Sequence, residues 1–132
     1  MSSIFTKIVN GEIPCYKIAE TEDYFAFLDI NPLFRGHTLV ITKQEIDNIF
    51  DLDDELYEGL FLFAKKIAVA IEKAIICKRV GIAVVGLEVP HAHIHLIPMN
   101  VIADFNFYNT KLKLPQKEFE RLVQKIRDEL VL

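Results

Sequence analysis

The stretch VPHAHIHLIP, residues 89–98, places three of the chain's four histidines at alternate positions: His91, His93 and His95. Apolar residues stand between them, which is the two-residue period of a β-strand. In such a strand the imidazoles point to one face, and the intervening apolar side chains point to the other, which we expect to lie in the core. Each buried imidazole needs a hydrogen-bond partner, so three on one face indicate a functional site.

The composition is that of a globular protein. The chain has 132 residues, of which 52% are hydrophobic and 26% are charged. Because this length supports one core, we expect a single domain over residues 1–132, with its core at about 3–100 and a helical extension at about 101–132. The net charge of −4 argues against the broad basic face that nucleic acid binding needs.

The sequence carries no signal for export or membrane insertion that we recognise. Residues 1–10 lack a basic segment followed by an apolar run, and charged residues interrupt the apolar stretch 56–76. The two cysteines, Cys15 and Cys77, form no C-x-x-C pair. We therefore expect no membrane partner and a reducing, cytoplasmic location.

The order of elements predicts an α+β fold with an antiparallel sheet. The expected strands are 15–20, 24–30, 35–42, 79–86 and 90–99, and the expected helices are 2–11, 51–78 and 114–132. Ser2 or Ser3 is expected to cap the first helix, and Asp51 or Asp53 the long one. Pro98 is expected to end the last strand.

The long helix has a wider apolar surface than one small sheet readily buries. Its apolar residues cover most of the cylinder: Phe61, Leu62, Ile67, Val69, Ile71 and Ile75. Either the helix is sunk deeply into its own domain, or one flank packs on the sheet and another on a second subunit. We expect the second arrangement, a homodimer.

A single metal ion held by all three histidines conflicts with strand geometry. At about 3.3 Å per residue, the backbones of His91 and His95 are roughly 13 Å apart. An imidazole with its Zn–N bond reaches only about 5 to 6 Å, so the outer pair can hardly share one ion. Two of the histidines can bind a metal if other parts of the chain supply further ligands. A metal-dependent site is therefore the lesser alternative.

Nucleophilic attack on phosphorus fits the same spacing better. An imidazole with a pKa near ~6.5 is largely neutral at pH 7 and can attack without a separate strong base. Histidines two positions away stand about 6.6 Å along the strand, which suits groups that flank a phosphate-sized anion. His37, in the segment RGHTLVIT, would join them if the two strands are neighbours.

The run HAHIHLI, residues 91–97, resembles the H-φ-H-φ-H-φ-φ signature (φ is apolar) of the histidine triad (HIT) superfamily. The segments SIFTKIVNGEIPCYKIAETEDYFAFLDINP and GHTLVIT are similar in order and spacing to the N-terminal half of its Hint-like members. The resemblance covers about residues 3–100. It implies an α+β fold on a five-stranded antiparallel sheet and a homodimer in which the two sheets are continuous.

The resemblance also implies roles for individual residues. His93 would attack the α-phosphorus of a nucleoside phosphoramidate or related purine nucleotide, forming a nucleotidyl-histidine that water hydrolyses. His95 would contact phosphate oxygens, while His91 and His37 orient the site. Asp29 matches the acid that binds the ribose hydroxyls. The positions that match the apolar base pocket are Ile4, Phe5, Ile8, Phe27 and Ile30.

The link VVGLEVPH departs from the family's pattern, because it is several residues shorter than the usual loop. Leu87 and Glu88 stand where Gln and Ser of the family contact the phosphate and leaving group, and Gly86 stands near the usual Asn. A carboxylate at Glu88 repels a phosphate unless it turns away or is protonated, and it favours a cationic leaving group such as an amine. The departure raises a second hypothesis, a nucleotide-binding protein with little turnover.

Several bacterial members of the family hold a structural zinc through two N-terminal cysteines and a later histidine. Ser3, Thr6 and Glu45 occupy those places here. We therefore expect no metal and no cofactor.

Overall fold

The computed structural model describes residues 2–132. Its helices are α1 (Ile4–Val9), α2 (Asp54–Ala74) and α3 (Gln116–Asp128), and its strands are β1 (Lys17–Glu20), β2 (Tyr24–Leu28), β3 (Thr38–Thr42), β4 (Arg79–Ala83) and β5 (His93–Met99). Short 3-10 turns occur at Ile49–Asp51 and Ile102–Asp104. Ser3 caps α1 and Asp53 caps α2, each accepting a hydrogen bond from a backbone N–H in the first turn.

The five strands form one antiparallel sheet in the order β1-β2-β3-β5-β4, so the expected fold class is confirmed. The histidine strand β5 is interior, between β3 and β4. Its register with β3 places Ile41 opposite His93 and Leu39 opposite His95. The turn before β3, which carries His37, therefore lies beside the far half of β5.

The two faces of the sheet differ as the alternation in β5 predicts. Ile94 and Leu96 point into the main core, where they join Val40 of β3 and the buried flank of α2. The opposite face carries the histidines and a second apolar cluster, in which α1 covers β2 and β3. This cluster contains the buried residues Phe5, Phe25, Phe27, Leu39 and Ile41.

Several predicted boundaries are wrong, and the structure shows a physical reason for each. α2 ends at Ala74 because Ile75 turns extended and packs against Gly36, so the chain reaches the start of β4. β4 ends at Ala83, and the following residues leave the sheet through Gly86, whose φ of +70° is readily adopted by glycine. Pro98 does not end β5, because it pairs with β4 alone, beyond the last residue that β3 contacts.

β5 also begins later than expected, at His93. The N–H of His91 donates to the carbonyl of Val89 in a tight turn, and the N–H of Ala92 donates to the carbonyl of Ile46. These two bonds replace ladder bonds to β3. His91 thus precedes the strand, although its ring still lies on the Phe5 side of the sheet and Ala92 still joins the main core.

The C-terminal helix α3 packs on α2 and β1 and buries Phe119, Leu122, Val123 and Ile126. Arg127 donates from Nε to the carbonyl of Lys17 at 2.8 Å, and Glu118 pairs with Arg35 at 3.1 Å. The domain boundary expected at about residue 100 stays a prediction. Among residues 2–132, no helix has both the length and the apolar character to cross a membrane.

Gly59 in α2 lies directly under the ring of Tyr24. A Cβ at position 59 would stand 1.9 Å from the Tyr24 hydroxyl oxygen, which donates to the carbonyl of Leu56 at 3.0 Å. The Tyr24 ring also stacks on Phe63 at 5.6 Å, so it cannot move without losing both contacts.

We therefore expect Gly59→Ala to lower the free energy of unfolding by about 1–3 kcal/mol through overpacking. Alanine in an open helix position would instead raise it by about 1 kcal/mol. Urea unfolding is the measurement. In a Tyr24→Ala background the same change should be neutral or stabilising, and an equal loss in both backgrounds would contradict this packing argument.

Candidate active site

The structure brings all four histidines to one place on the sheet. The rings of His93 and His95 have centroids 5.0 Å apart, and Nε2 of His37 lies 3.0 Å from Nδ1 of His95. All four side chains are buried. In the described part of the chain, every buried side-chain nitrogen and oxygen has a hydrogen-bond partner. The expected approach of His37 to the triad is therefore confirmed.

The ring of His93 has its proton placed by the backbone. Its Nδ1 lies 2.6 Å from the carbonyl oxygen of His91, and a carbonyl only accepts hydrogen bonds. Nδ1 must therefore carry the proton. In the neutral ring, Nε2 then holds a free lone pair, which is the atom a nucleophile needs.

His95 has the opposite tautomer to His93, and His37 sets it. The backbone N–H of Leu33 donates to Nδ1 of His37 at 3.0 Å, so the proton of this neutral ring is on Nε2. That N–H donates to Nδ1 of His95 and leaves the proton of His95 on Nε2. His95 thus presents a hydrogen-bond donor beside the lone pair of His93.

His91 is tied to the N-terminal helix. Its Nε2 lies 2.6 Å from the carbonyl oxygen of Thr42, so Nε2 carries the proton and Nδ1 accepts from the Ser3 hydroxyl at 2.7 Å. Glu45 accepts from the Ser3 backbone N–H at 2.6 Å and from the Thr6 hydroxyl at 2.7 Å. The three residues that replace the family's zinc ligands therefore form one hydrogen-bonded cluster with His91.

Burial keeps the four imidazoles neutral. It lowers the pKa of His37 to about 3, and the protonated ring would also be repelled by protonated His95 and by Lys111. It lowers the pKa of His95 to about 4, helped by His93. The pKa values of His91 and His93 are also lowered by burial, although the carbonyl that each ring faces favours the protonated form.

Asp29 stands at the end of this row. One carboxylate oxygen accepts from the N–H of Asn31 at 2.8 Å, and the other lies 3.6 Å from Nε2 of His37, too far for a hydrogen bond. Burial raises the pKa of Asp29, and the charge of Glu88 raises it further. The second oxygen remains available to accept from a ligand.

The expected base-pocket residues fall into two groups. Phe5, Ile8 and Phe27 pack together, and the Phe5 ring lies 5.1 Å from that of His93, edge to face. Ile4 and Ile30 are exposed, and they lie outside this cluster. The structure thus places an apolar cluster beside the ring of His93.

The short link before the triad forms an open rim. Leu87 and Glu88 are exposed. Val84 and Leu87 line a cavity of about 390 Å³ together with Phe50 and His93. The negative charge of Glu88 favours the protonated forms of both His93 and Asp29, and so raises the pKa of each.

Asp29, His37 and His95 are close enough to resemble a metal site, with candidate ligand atoms within 4.8 Å of one another. Their hydrogen bonds argue against one. His37 already uses its Nδ1 lone pair for the N–H of Leu33. To bind a metal through Nε2 the ring would have to ionise to an imidazolate or give up that bond. The donor set therefore suits a hydrogen-bonded row better than a metal ion.

Two further neighbours of the site were not expected from the sequence. The Phe107 ring lies 4.9 Å from that of His95, and the charge of Lys111 acts on Asp29 and His37. Both residues follow the triad in an irregular segment, where sequence periodicity carries no signal.

The hydrogen bonds predict a specific set of tautomers. At neutral pH, His93 should carry its proton on Nδ1, whereas His37, His91 and His95 should carry theirs on Nε2. Long-range ¹H–¹⁵N NMR distinguishes the two forms. Finding His93 with its proton on Nε2 would remove the lone pair from the open side of the ring.

The buried histidines also predict a pH dependence of stability. Unfolded histidines titrate near pH ~6.5, whereas folded His37 and His95 titrate at about 3 and about 4. Below pH ~6.5 the unfolded chain binds protons that the folded chain does not, so the free energy of unfolding falls as pH falls.

Urea unfolding midpoints at pH about 7.5 and about 5.5 measure this loss, because the stability is fully present above the unfolded pKa and falls below it. His95→Asn removes one of the groups and should reduce the difference between the two midpoints. Equal midpoints for the parent protein would show that the imidazoles are not held neutral.

The comparisons with known proteins agree with this geometry. The sequence model of the HIT domain matches residues 10–101. A HIT-like protein from Borreliella burgdorferi is 38% identical over 131 residues, which cover 93% of this chain and 94% of that protein. An adenosine 5′-monophosphoramidase from Schizosaccharomyces pombe is 42% identical over 100 residues, 74% of each chain.

Among solved structures, a Hit-like protein from Bartonella henselae superposes with a TM-score of 0.85 at 31% identity and covers 98% of this chain and 96% of its own. The matched segment includes β1 to β5 and the four histidines. This chain therefore belongs to the HIT family, a family that includes nucleotide hydrolases.

Proposed function

We propose that this protein hydrolyses nucleoside phosphoramidates or related purine nucleotides at the α-phosphorus, without a metal, through a covalent nucleotidyl-histidine on His93. The observation that carries the proposal is the pair of tautomers. His93 holds a lone pair on Nε2 while its neighbour His95 presents an N–H. The adenosine 5′-monophosphoramidase from Schizosaccharomyces pombe supports this choice of substrate class.

In the first step, the Nε2 lone pair of His93 forms a bond to the α-phosphorus, and the P–N bond to the leaving amine breaks. The leaving nitrogen departs with the bonding pair and takes a proton from solvent. The ring of His93 becomes cationic, and its Nδ1–H bond to the carbonyl of His91 stabilises that charge. Water then attacks phosphorus, which releases the nucleoside monophosphate and restores the neutral ring.

The other three histidines bind the phosphate or orient the rings that react with it. The Nε2–H of His95 donates to a phosphate oxygen and stabilises the charge that develops there. His37 keeps that proton in place through its own bond to Nδ1 of His95. His91 supplies the carbonyl that orients His93, and Ser3 holds His91.

The nucleoside is bound on the same side of the sheet. The free oxygen of Asp29 accepts from the ribose hydroxyls, and Phe5, Ile8 and Phe27 form the wall of the base pocket. Ile4 and Ile30 act at its exposed rim. We assign Glu88 to the leaving group, because its negative charge favours an amine that leaves as a cation.

The second candidate is a nucleotide-binding protein with little turnover. The observation that favours it is the loop before the triad, where Leu87 and Glu88 are exposed and offer no hydrogen-bond donor comparable with Gln and Ser. A metal-dependent hydrolase is the weaker alternative, because Nδ1 of His37 is already occupied.

We also propose that the protein is a homodimer. Leu62 and Val69 on α2 are exposed, as is Ile82 on the edge strand β4. These features lie on the part of the domain that the sheet leaves uncovered, and an unpaired edge strand is suited to extend into a second sheet. A cytoplasmic location stays a prediction from the cysteine pattern.

The experiment that tests the enzymatic proposal compares the parent protein with His93→Ala on an adenosine phosphoramidate, with and without EDTA. The parent should release AMP equally in both conditions. His93→Ala should lose about 10³-fold or more of kcat, because no other group can form the covalent bond. AMP binding by calorimetry should remain within about threefold, since the base and ribose contacts are kept.

The outcomes separate the candidates. Near-parent turnover by His93→Ala would exclude His93 as the nucleophile. AMP binding by the parent without product release would favour the binding protein. Turnover lost on chelation would favour the metal-dependent reaction.

A further inference from the structure

Residues 102–112, which we call the C-terminal arm, cross the histidine face of the sheet after β5. The arm starts over β4, where the ring of Phe105 covers Gly81, and the Phe107 ring then contacts that of His95 at 4.9 Å. It ends at the loop after β2, where the N–H of Leu112 donates to the carbonyl of Pro32 at 2.8 Å. The arm therefore borders the site from β4 to the loop that carries Asp29.

Gly81 is what allows the arm to lie this close to the sheet. A Cβ at position 81 would stand 2.6 Å from the Phe105 ring and 2.9 Å from the Met99 sulfur. The bare backbone leaves room for Phe105, which in turn packs on Phe107, with ring centroids 6.1 Å apart. The arm is thus anchored by side-chain packing at the end nearest His95.

Lys111 is anchored within the arm. Its ammonium donates to the carbonyl of Phe107 at 2.6 Å and to the carbonyl of Asn109 at 3.3 Å. An ammonium has three hydrogens, so one remains free. Because the same Phe107 rests its ring on His95, the ammonium is tied to a residue that touches the triad.

The charges around the site favour a cation near the bound phosphate. The four histidines are neutral, whereas Asp29 and Glu88 are acidic and both act on the site. A phosphate that approaches His93 therefore meets negative charge and no cationic imidazole. The charge of Lys111 reaches both Asp29 and His37.

We propose that Lys111 binds the phosphate of the substrate, and that the C-terminal arm holds it there as a cation for a triad of neutral histidines. The free hydrogen of its ammonium donates to a phosphate oxygen, and its bond to the Phe107 carbonyl holds the ammonium within the arm that borders the histidine row. This inference deepens the proposed function and rests on it. It assigns to the arm a donor that the short loop before the triad lacks.

The test compares binding of AMP with binding of adenosine, which has the same base and ribose and no phosphate. Lys111→Met should weaken AMP binding by about tenfold, the scale of one charge-assisted hydrogen bond, and leave adenosine binding unchanged. Lys113→Met is the matched control, because Lys113 is an exposed lysine two residues away and should give parent values for both ligands. Lys111→Arg keeps the charge and should restore most of the AMP affinity.

A second pair of variants tests how the ammonium is held. Phe107→Ala removes the contact with His95 and should weaken AMP binding several-fold, again without affecting adenosine. Tyr108→Ala is its control, because the adjacent Tyr108 is 99% exposed. Calorimetry on the full chain gives both affinities, so the test does not depend on turnover.

The outcomes distinguish this inference from the function it rests on. If the parent binds AMP and Lys111→Met binds it equally well, Lys111 only caps the carbonyls of its own arm and the inference is wrong. If Lys111→Met weakens AMP and adenosine alike, the lysine shapes the pocket and does not bind phosphate. If the parent binds neither ligand, the proposed function fails and this inference fails with it.

Discussion

Four neutral imidazoles are buried side by side, and both nitrogens of an imidazole are polar, so each nitrogen must face a partner or a ligand. The partners that the protein supplies come from widely separated parts of the chain. Ser3 on the cap of α1 serves His91, and the N–H of Leu33 in the turn before β3 serves His37. The docking of the N-terminal helix and the shape of that turn are thus tied to the histidine row.

The same partners decide the chemistry of the row. Carbonyl oxygens accept and backbone N–H groups donate, so each ring has its proton assigned by the backbone it faces. The assignment leaves a lone pair on His93 next to a donor on His95. It also leaves the row without fixed positive charge. The acidic neighbours Asp29 and Glu88 then repel a phosphate, and the cation of Lys111 offsets that repulsion.

Much of the site could be predicted from the sequence because it depends on local alternation. The alternating pattern around His93 and His95 places both on one face, and an interior strand keeps the two faces apart. The errors fall where non-local contacts override local pattern. Ala92 gives its N–H to Ile46 and not to β3, which delays the start of β5, and Ile75 leaves α2 to pack on Gly36.

The fold class, the face of β5 that carries the histidines, and the residue types of the site could be read from the chain alone, because they follow from periodicity and from the resemblance over about residues 3–100. The tertiary structure alone decided which nitrogen of each ring carries a proton and which distant residues border the row. Tautomers depend on atoms about 3 Å apart that are contributed by residues far apart in the chain. Phe107 reaches His95 only because the arm folds back over Gly81, and no local pattern encodes that return.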